Sequence, residues 1–195
     1  MASRANEALP QKRALATAVA LLIEPGSFVF IDNGSTNLMV AEALPPGIDV
    51  TIATNSIEIA AALATRGDVQ LVLVGGEVDP VIGGCVDGTA LEAISRMNID
   101  ICLLGACTVS REGGVSAFEI ADATFKRALV ASSRETIVLV TNEKLGRQAP
   151  HRIADVDALD RLVVEHDAPG EAVAALQTAG AVILHAAPPT PRHTS

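Results

Sequence analysis

A series of short apolar runs, each stopped by a polar or glycine-containing turn, constrains this chain more than any other feature. Phe28–Ile31 stops at Asp32-Asn33-Gly34-Ser35-Thr36, residues 50–53 at Thr54-Asn55-Ser56, and residues 69–74 at Gly75-Gly76. Farther on, Ile99–Leu104 stops at Gly105-Ala106-Cys107, and residues 136–140 at Thr141-Asn142-Glu143-Lys144. The runs are near-continuously apolar rather than alternating, which suits strands covered on both faces. Helical spacing fills the gaps: residues 13–23, 36–44, 56–66, 89–97, 118–133 and 171–178, the first stopped by Pro25-Gly26 and the second by Pro45-Pro46-Gly47. Two further strands are expected at Arg161–Val164 and 181–184, and residues 81–86 read as a short glycine-rich one.

Strand, turn and helix in alternation predict an α/β fold: an open, mostly parallel sheet with helices on both faces, plus a small C-terminal α/β portion. Residues 1–12 read as a linker or disordered N-terminus, 13–185 as one domain, and 186–195, with Pro188, Pro189 and Pro191, as a disordered tail. The core has to be aliphatic, since 49% of residues are hydrophobic but 2% aromatic, with no Trp or Tyr. That shortage of stacking rings, with a net charge of −9, argues against these residues binding nucleic acid by themselves. Cys85, Cys102 and Cys107 have no zinc-type spacing and read as reduced thiols in a cytoplasmic protein. No signal peptide or membrane-spanning run is recognised.

In an open parallel sheet the carboxyl ends of the strands share one edge, and ligands bind there where strand order reverses. Asn33-Gly34 tolerates positive φ, Ser35 or Thr36 is placed to cap the next helix, and free N–H groups at such a turn suit a phosphate or carboxylate. An ordinary capped strand-to-helix turn has the same signature. Lys144, just past a buried strand, is either solvated or a phosphate partner on this edge. Asp122 and Lys126 fit an ordinary i,i+4 ion pair. Familiar motifs are missing: no G-x-G-x-x-G, no G-x-S-x-G, no H-E-x-x-H, and Thr89 stands where a P-loop beginning at Gly83 needs lysine. Cys107 lacks a histidine on a neighbouring expected turn to activate it as a nucleophile.

As an ordered set, these residues resemble the effector-sensing C-terminal domain of DeoR-type bacterial transcriptional repressors. The resemblance rests on Asp32-Asn33-Gly34-Ser35-Thr36 (family pattern D-x-G-[ST]-T), Thr54-Asn55-Ser56, Gly75-Gly76-Glu77 and Gly88. It continues through Asp100-Ile101-Cys102-Leu103-Leu104-Gly105-Ala106, Asp122-Ala123-x-x-Lys126-Arg127-Ala128, and Lys144-x-Gly146, covering roughly residues 12–185. It implies a fold similar to ribose-5-phosphate isomerase and a phosphorylated sugar as effector. By resemblance, Asn33, Gly34, Ser35 and Thr36 hold the phosphate, while Thr54, Asn55, Ser56, Gly75 and Gly76 line the pocket. Lys144 is the charged contact, and Asp32, Gly105, Asp122 and Lys126 are family-pattern positions of the same site. The resemblance implies no metal, no cofactor and no membrane, but does imply a homo-oligomer.

Three departures stand out. The family's usual D-S-S-K is Thr141-Asn142-Glu143-Lys144 here, and Cys107 replaces a commonly polar residue. The third is that residues 1–12 are too short for the family's N-terminal winged helix-turn-helix, so DNA contact is expected only through a domain this chain lacks. A sugar-phosphate isomerase is the alternative, but isomerisation needs a positioned carboxylate and no acid follows Gly105-Ala106 before Glu112. An oligomerisation module would not need the polar turns. This chain alone is expected to show no salt-dependent binding to duplex DNA in a gel-shift titration, and a tight, salt-sensitive shift would refute that.

Overall fold

The computed structural model describes residues 8–189. Its main body is a seven-stranded sheet in the order β12-β11-β9-β6-β1-β2-β3, with every pairing parallel. The strands are β1 (Phe28–Ile31), β2 (Val50–Thr54), β3 (Val69–Leu73), β6 (Ile99–Leu104), β9 (Ser133–Val140), β11 (Arg161–Val164) and β12 (Ile183–His185). From β1 the chain winds outward through β2 to β3. It then returns to the other side of β1 as β6 and winds away through β9 and β11 to β12. Strand order therefore reverses between β1 and β6. The C-terminal α/β portion is the end of this same sheet.

Alternating residues of each strand face opposite layers, and both layers are helical. Val29, Ile31, Ile52, Leu103 and Leu139 lie under α1 (Leu9–Ala20), α2 (Ser35–Ala43) and α3 (Ile57–Leu63). Phe30, Cys102, Leu104, Val138 and Leu162 lie under α4 (Gly88–Ile94), α5 (Ile120–Ala131) and α6 (Gly170–Thr178). The ring of Phe125 on α5 meets that of Phe30 at 6.1 Å between centroids, tilted by 57°. In a core otherwise aliphatic, this pair fills the space beneath the middle of the sheet.

The structure departs from the sequence expectations at both ends of the domain and at residues 81–86. Helix α1 begins at Leu9 rather than at residue 13, so Leu9 to Lys12, read as the end of a linker, are helical. At the other end Ala186 is buried and its N–H donates to Val164 O, so the expected tail is packed at its start. Of both expected termini, residues 1–7 and 190–195 lie outside the described residues, and 187–189 are without regular structure. In place of a strand at 81–86 there is a small hairpin of β4 (Val78–Asp79) and β5 (Gly84–Cys85).

Sequence periodicity also misses a three-stranded antiparallel sheet, β10-β8-β7, made of β7 (Thr108–Ser110), β8 (Gly114–Ala117) and β10 (His151–Ala154). Gly114 is obligatory there: its φ is 60°, and a Cβ would sit 2.2 Å from Ala154 O. Among the described residues no helix is long and apolar enough to cross a membrane.

Truncating Phe125, which is fully buried, should destabilise the chain by about 3–5 kcal/mol. Phe125→Ala is therefore expected to lower the melting temperature by about 6–20 °C in a circular-dichroism melt, and a shift within error would contradict the packing described.

Candidate functional site

A cavity of about 600 Å³ opens where β1 and β6 diverge at their carboxyl ends. Its floor is set by the turn after β1. Gly34 has φ 145° and ψ 147°, a conformation that favours glycine, and it is the residue before helix α2. The expected Ser35 or Thr36 cap does not form: both are already helical, and no side chain caps α2. The first-turn N–H groups, the positive end of the helix dipole, thus remain uncapped by side chains beside the cavity. Thr36 Oγ1 and Asn33 Oδ1 are buried there without a hydrogen-bond partner among the described residues. Orphaned acceptors and donors of this kind are rare in a folded chain, and at a cavity wall they mark a place for a polar ligand.

The turn is held rigid from behind. Asn37 Nδ2 donates to both Asp32 O and Leu103 O at 2.9 Å, tying the end of β1 to β6. Asn55 Oδ1 accepts the Asn33 N–H at 3.2 Å while its Nδ2 donates to Cys85 O at 3.2 Å. Gly105 N–H donates to Asp32 Oδ2 at 2.9 Å, and a Cβ on Gly105 would lie 2.5 Å from Asn33 O. Glycine is the residue that lets these two turns touch.

Beneath the turn lies a buried charge cluster. Lys126 Nζ is 2.5 and 2.6 Å from the carboxylate oxygens of Asp122, and 3.5 Å from Asp32 Oδ2. Asp122 and Lys126 are therefore not the ordinary helix-surface pair that their spacing predicts, but members of a buried triad. Burial pushes the Asp32 carboxyl up to about 6 against the lowering pull of Lys126. The Lys126 ammonium, though burial works against its charge, is held above its usual range by Asp32 and Asp122.

Of the expected site residues, the cavity wall brings together Asn33, Gly34, Ser35, Thr36, Ser56, Gly105, Asp122, Lys126 and Lys144. Lys144 Nζ donates to Ala106 O at 2.9 Å, and burial lowers its pKa. The others stand outside the wall. Asp32 is wholly buried behind it. Thr54 Oγ1 accepts the Ser56 N–H at 3.1 Å, so Thr54 and Asn55 build a turn instead of lining the cavity. Gly75 and Gly76 belong to a different turn, where Gly76 backs onto Asp87, whose carboxylate accepts from Glu77 N–H and Ala90 N–H.

The wall also includes Lys12 on α1 and Arg147, which the sequence reading missed, and Glu119, which it named only as an acid able to reach the pocket. One signal in the sequence pointed to Lys12. The chain has three lysines, Lys12, Lys126 and Lys144, and all three line this cavity. Among the described residues no His, Cys, Asp and Glu cluster could hold a metal ion.

An open parallel sheet with a polar cavity at its point of strand reversal defines an α/β ligand-binding domain. The chain belongs to the DeoR family: residues 7–166 match its DeoR C terminal sensor domain. The glycerol-3-phosphate regulon repressor of Escherichia coli (strain K12) is 32% identical over 159 residues, 82% of this chain. The match takes in 62% of that repressor, so the chain spans less than two thirds of the relative's length. Among solved structures, eIF2B delta from Chaetomium thermophilum shares the fold, with TM-score 0.51, 15% identity, and coverage of 77% of this chain and 56% of that one. Ribose 5-phosphate isomerase A from Methanocaldococcus jannaschii aligns with TM-score 0.49 and 18% identity over 69% of this chain and 53% of that one.

The pH dependence of the buried carboxyl is testable. The native pKa of Asp32, about 6, lies above the ~3.9 of an unfolded aspartate. Between those values the native state holds more protons, so this group's stabilisation falls as pH rises from about 4 to 6 and stays lost above that. The unfolding free energy of the unaltered chain minus that of Asp32→Asn should therefore drop by about 1–3 kcal/mol between pH 4 and 7. Urea titrations at each pH read it, and a flat difference would refute the shift.

Proposed function

We propose that this domain binds a phosphorylated sugar or related metabolite in the cavity between β1 and β6, as the sensing part of a transcriptional regulator. The observation that carries this reading is the meeting of an uncapped helix N-terminus with all the lysines of a chain whose net charge is −9. An anion is the ligand that such a wall favours. The phosphate lies against Asn33, Gly34, Ser35 and Thr36, with Thr36 Oγ1 donating to it and Lys144 meeting part of its charge. Ser56, Gly105, Asp122 and Lys126 face the polyol portion, where carboxylate and ammonium groups suit hydroxyls. The related repressor's name, which refers to a glycerol-3-phosphate regulon, points to the same ligand chemistry.

In this reading the domain is not an enzyme. Asp122 is held by the Lys126 ammonium, and Cys107 rather than an acid follows Gly105-Ala106. The domain works in the cytoplasm, without cofactor, as a homo-oligomer. The open edges of β3 and β12, with Leu73 and Leu184 exposed, are available for self-association. Contact with DNA belongs to a helix-turn-helix part of such a regulator.

Calorimetry with glycerol 3-phosphate, fructose 6-phosphate and their unphosphorylated counterparts tests the site. Binding is expected for the phosphorylated members alone. Lys144→Ala should weaken it by roughly ten- to a hundredfold, the worth of one charged hydrogen bond of about 1.5–3 kcal/mol. Gly34→Val should abolish it, because φ 145° excludes a branched side chain. Equal affinity for glycerol and glycerol 3-phosphate would remove the phosphate from this turn.

A further inference from the structure

Asn33, Gly34, Ser35 and Thr36 form one continuous stretch of the cavity wall, and three of them suit a phosphate. Gly34 leads into α2, while Ser35 and Thr36 supply first-turn N–H groups and hydroxyls, all of which can donate. Thr36 is 5% exposed and its Oγ1 has no hydrogen-bond partner among the described residues, which marks the wall for a polar guest.

Asn33 is different. Its side-chain Nδ2 donates to Ile82 O at 3.3 Å, in the loop between β4 and β5. That loop is itself anchored, since Cys85 N–H donates to Asn55 O at 3.0 Å and Asn55 Nδ2 donates back to Cys85 O. The amide is thereby aimed, and the atom left over is Oδ1, buried without a partner among the described residues. An amide oxygen only accepts, and so do the oxygens of an ionised phosphate, so the two repel. Turning the amide over would set its oxygen against Ile82 O and exchange a hydrogen bond for a repulsion. A donor on the ligand is what completes Oδ1. The rest of the wall agrees, because Glu58, Glu119 and Glu143 line the same cavity with further acceptors.

We propose that Asn33 reads a hydroxyl of the effector: Oδ1 accepts from a hydroxyl carried beside the phosphate ester. The phosphate's seat is the neighbouring Gly34, Ser35 and Thr36, and Asn33 borders it. The proposal rests on the anion-site reading above and deepens it by naming a second group that the ligand must carry. The effector class narrows to hydroxylated phosphate esters. An ester whose body is hydrocarbon leaves Oδ1 unpaired, and one that presents only acceptors adds a repulsion.

Calorimetry with glycerol 3-phosphate and n-propyl phosphate tests this, since the two share the phosphate and the carbon chain but not the hydroxyls. The unaltered chain should bind glycerol 3-phosphate about tenfold more tightly, the worth of one hydrogen bond to a buried acceptor. Asn33→Ala should erase that preference by weakening glycerol 3-phosphate about tenfold while leaving propyl phosphate unchanged. Asn33→Leu, close to asparagine in shape, makes the same comparison should the alanine variant not fold. Equal affinity for the two esters in the unaltered chain overturns the proposal without any variant and leaves the anion site standing. A variant that keeps the preference also overturns it, by assigning the preference to other residues of the wall. So does one that weakens both esters alike, which would turn the amide toward the phosphate. If neither ester binds the unaltered chain, the anion-site reading fails and this proposal with it.

Discussion

The contact between the turns that end β1 and β6 is the constraint on which the site depends. Strand order reverses there, so the two chain segments leave the sheet in opposite directions and would open a loose crevice. Three links close its base: the Asn37 amide to Asp32 O and Leu103 O, the Asp32 carboxylate to Gly105 N–H, and the bare Cα of Gly105 against Asn33 O. Each link uses a residue whose chemistry cannot be exchanged freely. A longer side chain at 105 would part the turns, and an apolar one at 37 would remove the donor that Asp32 O and Leu103 O share, leaving Leu103 O only the Asp32 N–H. With the base closed, Gly34 can swing the chain into α2 so that its uncapped end faces the cavity.

The buried triad of Asp32, Asp122 and Lys126 is better understood as a placement device than as a source of stability. Burying three charged groups carries a desolvation penalty that the mutual attraction only partly offsets, and apolar replacements of such groups are often no less stable. What the triad does supply is position. Asp32 is shared between Gly105 N–H and the Lys126 ammonium, so one carboxylate links the turn after β6 to helix α5. Asp122 takes the other side of that ammonium. The wall of the cavity opposite α2 is thereby fixed by charges whose partners come from three different elements.

The strands were legible in the sequence because burial on both faces leaves short, β-branched-rich apolar runs stopped by turn residues, whereas the apolar runs of the helices, such as residues 59–64, are alanine-rich. Phe28–Ile31, Ile99–Leu104 and Arg161–Val164 appear with the expected bounds. The antiparallel sheet was not, because Thr108–Ser110, Gly114–Ala117 and His151–Ala154 are too short and too mixed to show a period. Within the site, the family-like motifs located the right edge, but a motif does not reveal which way its side chains turn. Thr54 and Asn55 satisfy neighbouring backbone groups behind the wall, and Gly76 is a glycine for the sake of Asp87. Lys12 was hidden by a different cause. Polar residues before it suggested a linker, and Pro10, a break signal elsewhere, here lies within the first two positions of α1, where its missing N–H is harmless.

The division of labour between the two kinds of cation is the last piece of physical logic. Arginine's planar fork suits fixed, two-pronged contacts, and here arginines tie surface segments, as Arg66 does with Asp68, Leu44 O and Pro45 O. Lysine is a point charge on a flexible stem that adapts to anions of differing shape. Lys12 on α1 and Lys144 in the turn after β9 bring such charges to the cavity wall without dictating the shape of what carries a negative charge, while the Lys126 ammonium is fixed between Asp122 and Asp32. The carboxylates of Glu58, Glu119 and Glu143 line the same cavity, each able to accept a hydroxyl and to repel a second misplaced anionic group. In the proposed sensor, charge thus selects the class of metabolite and the acidic rim selects within it.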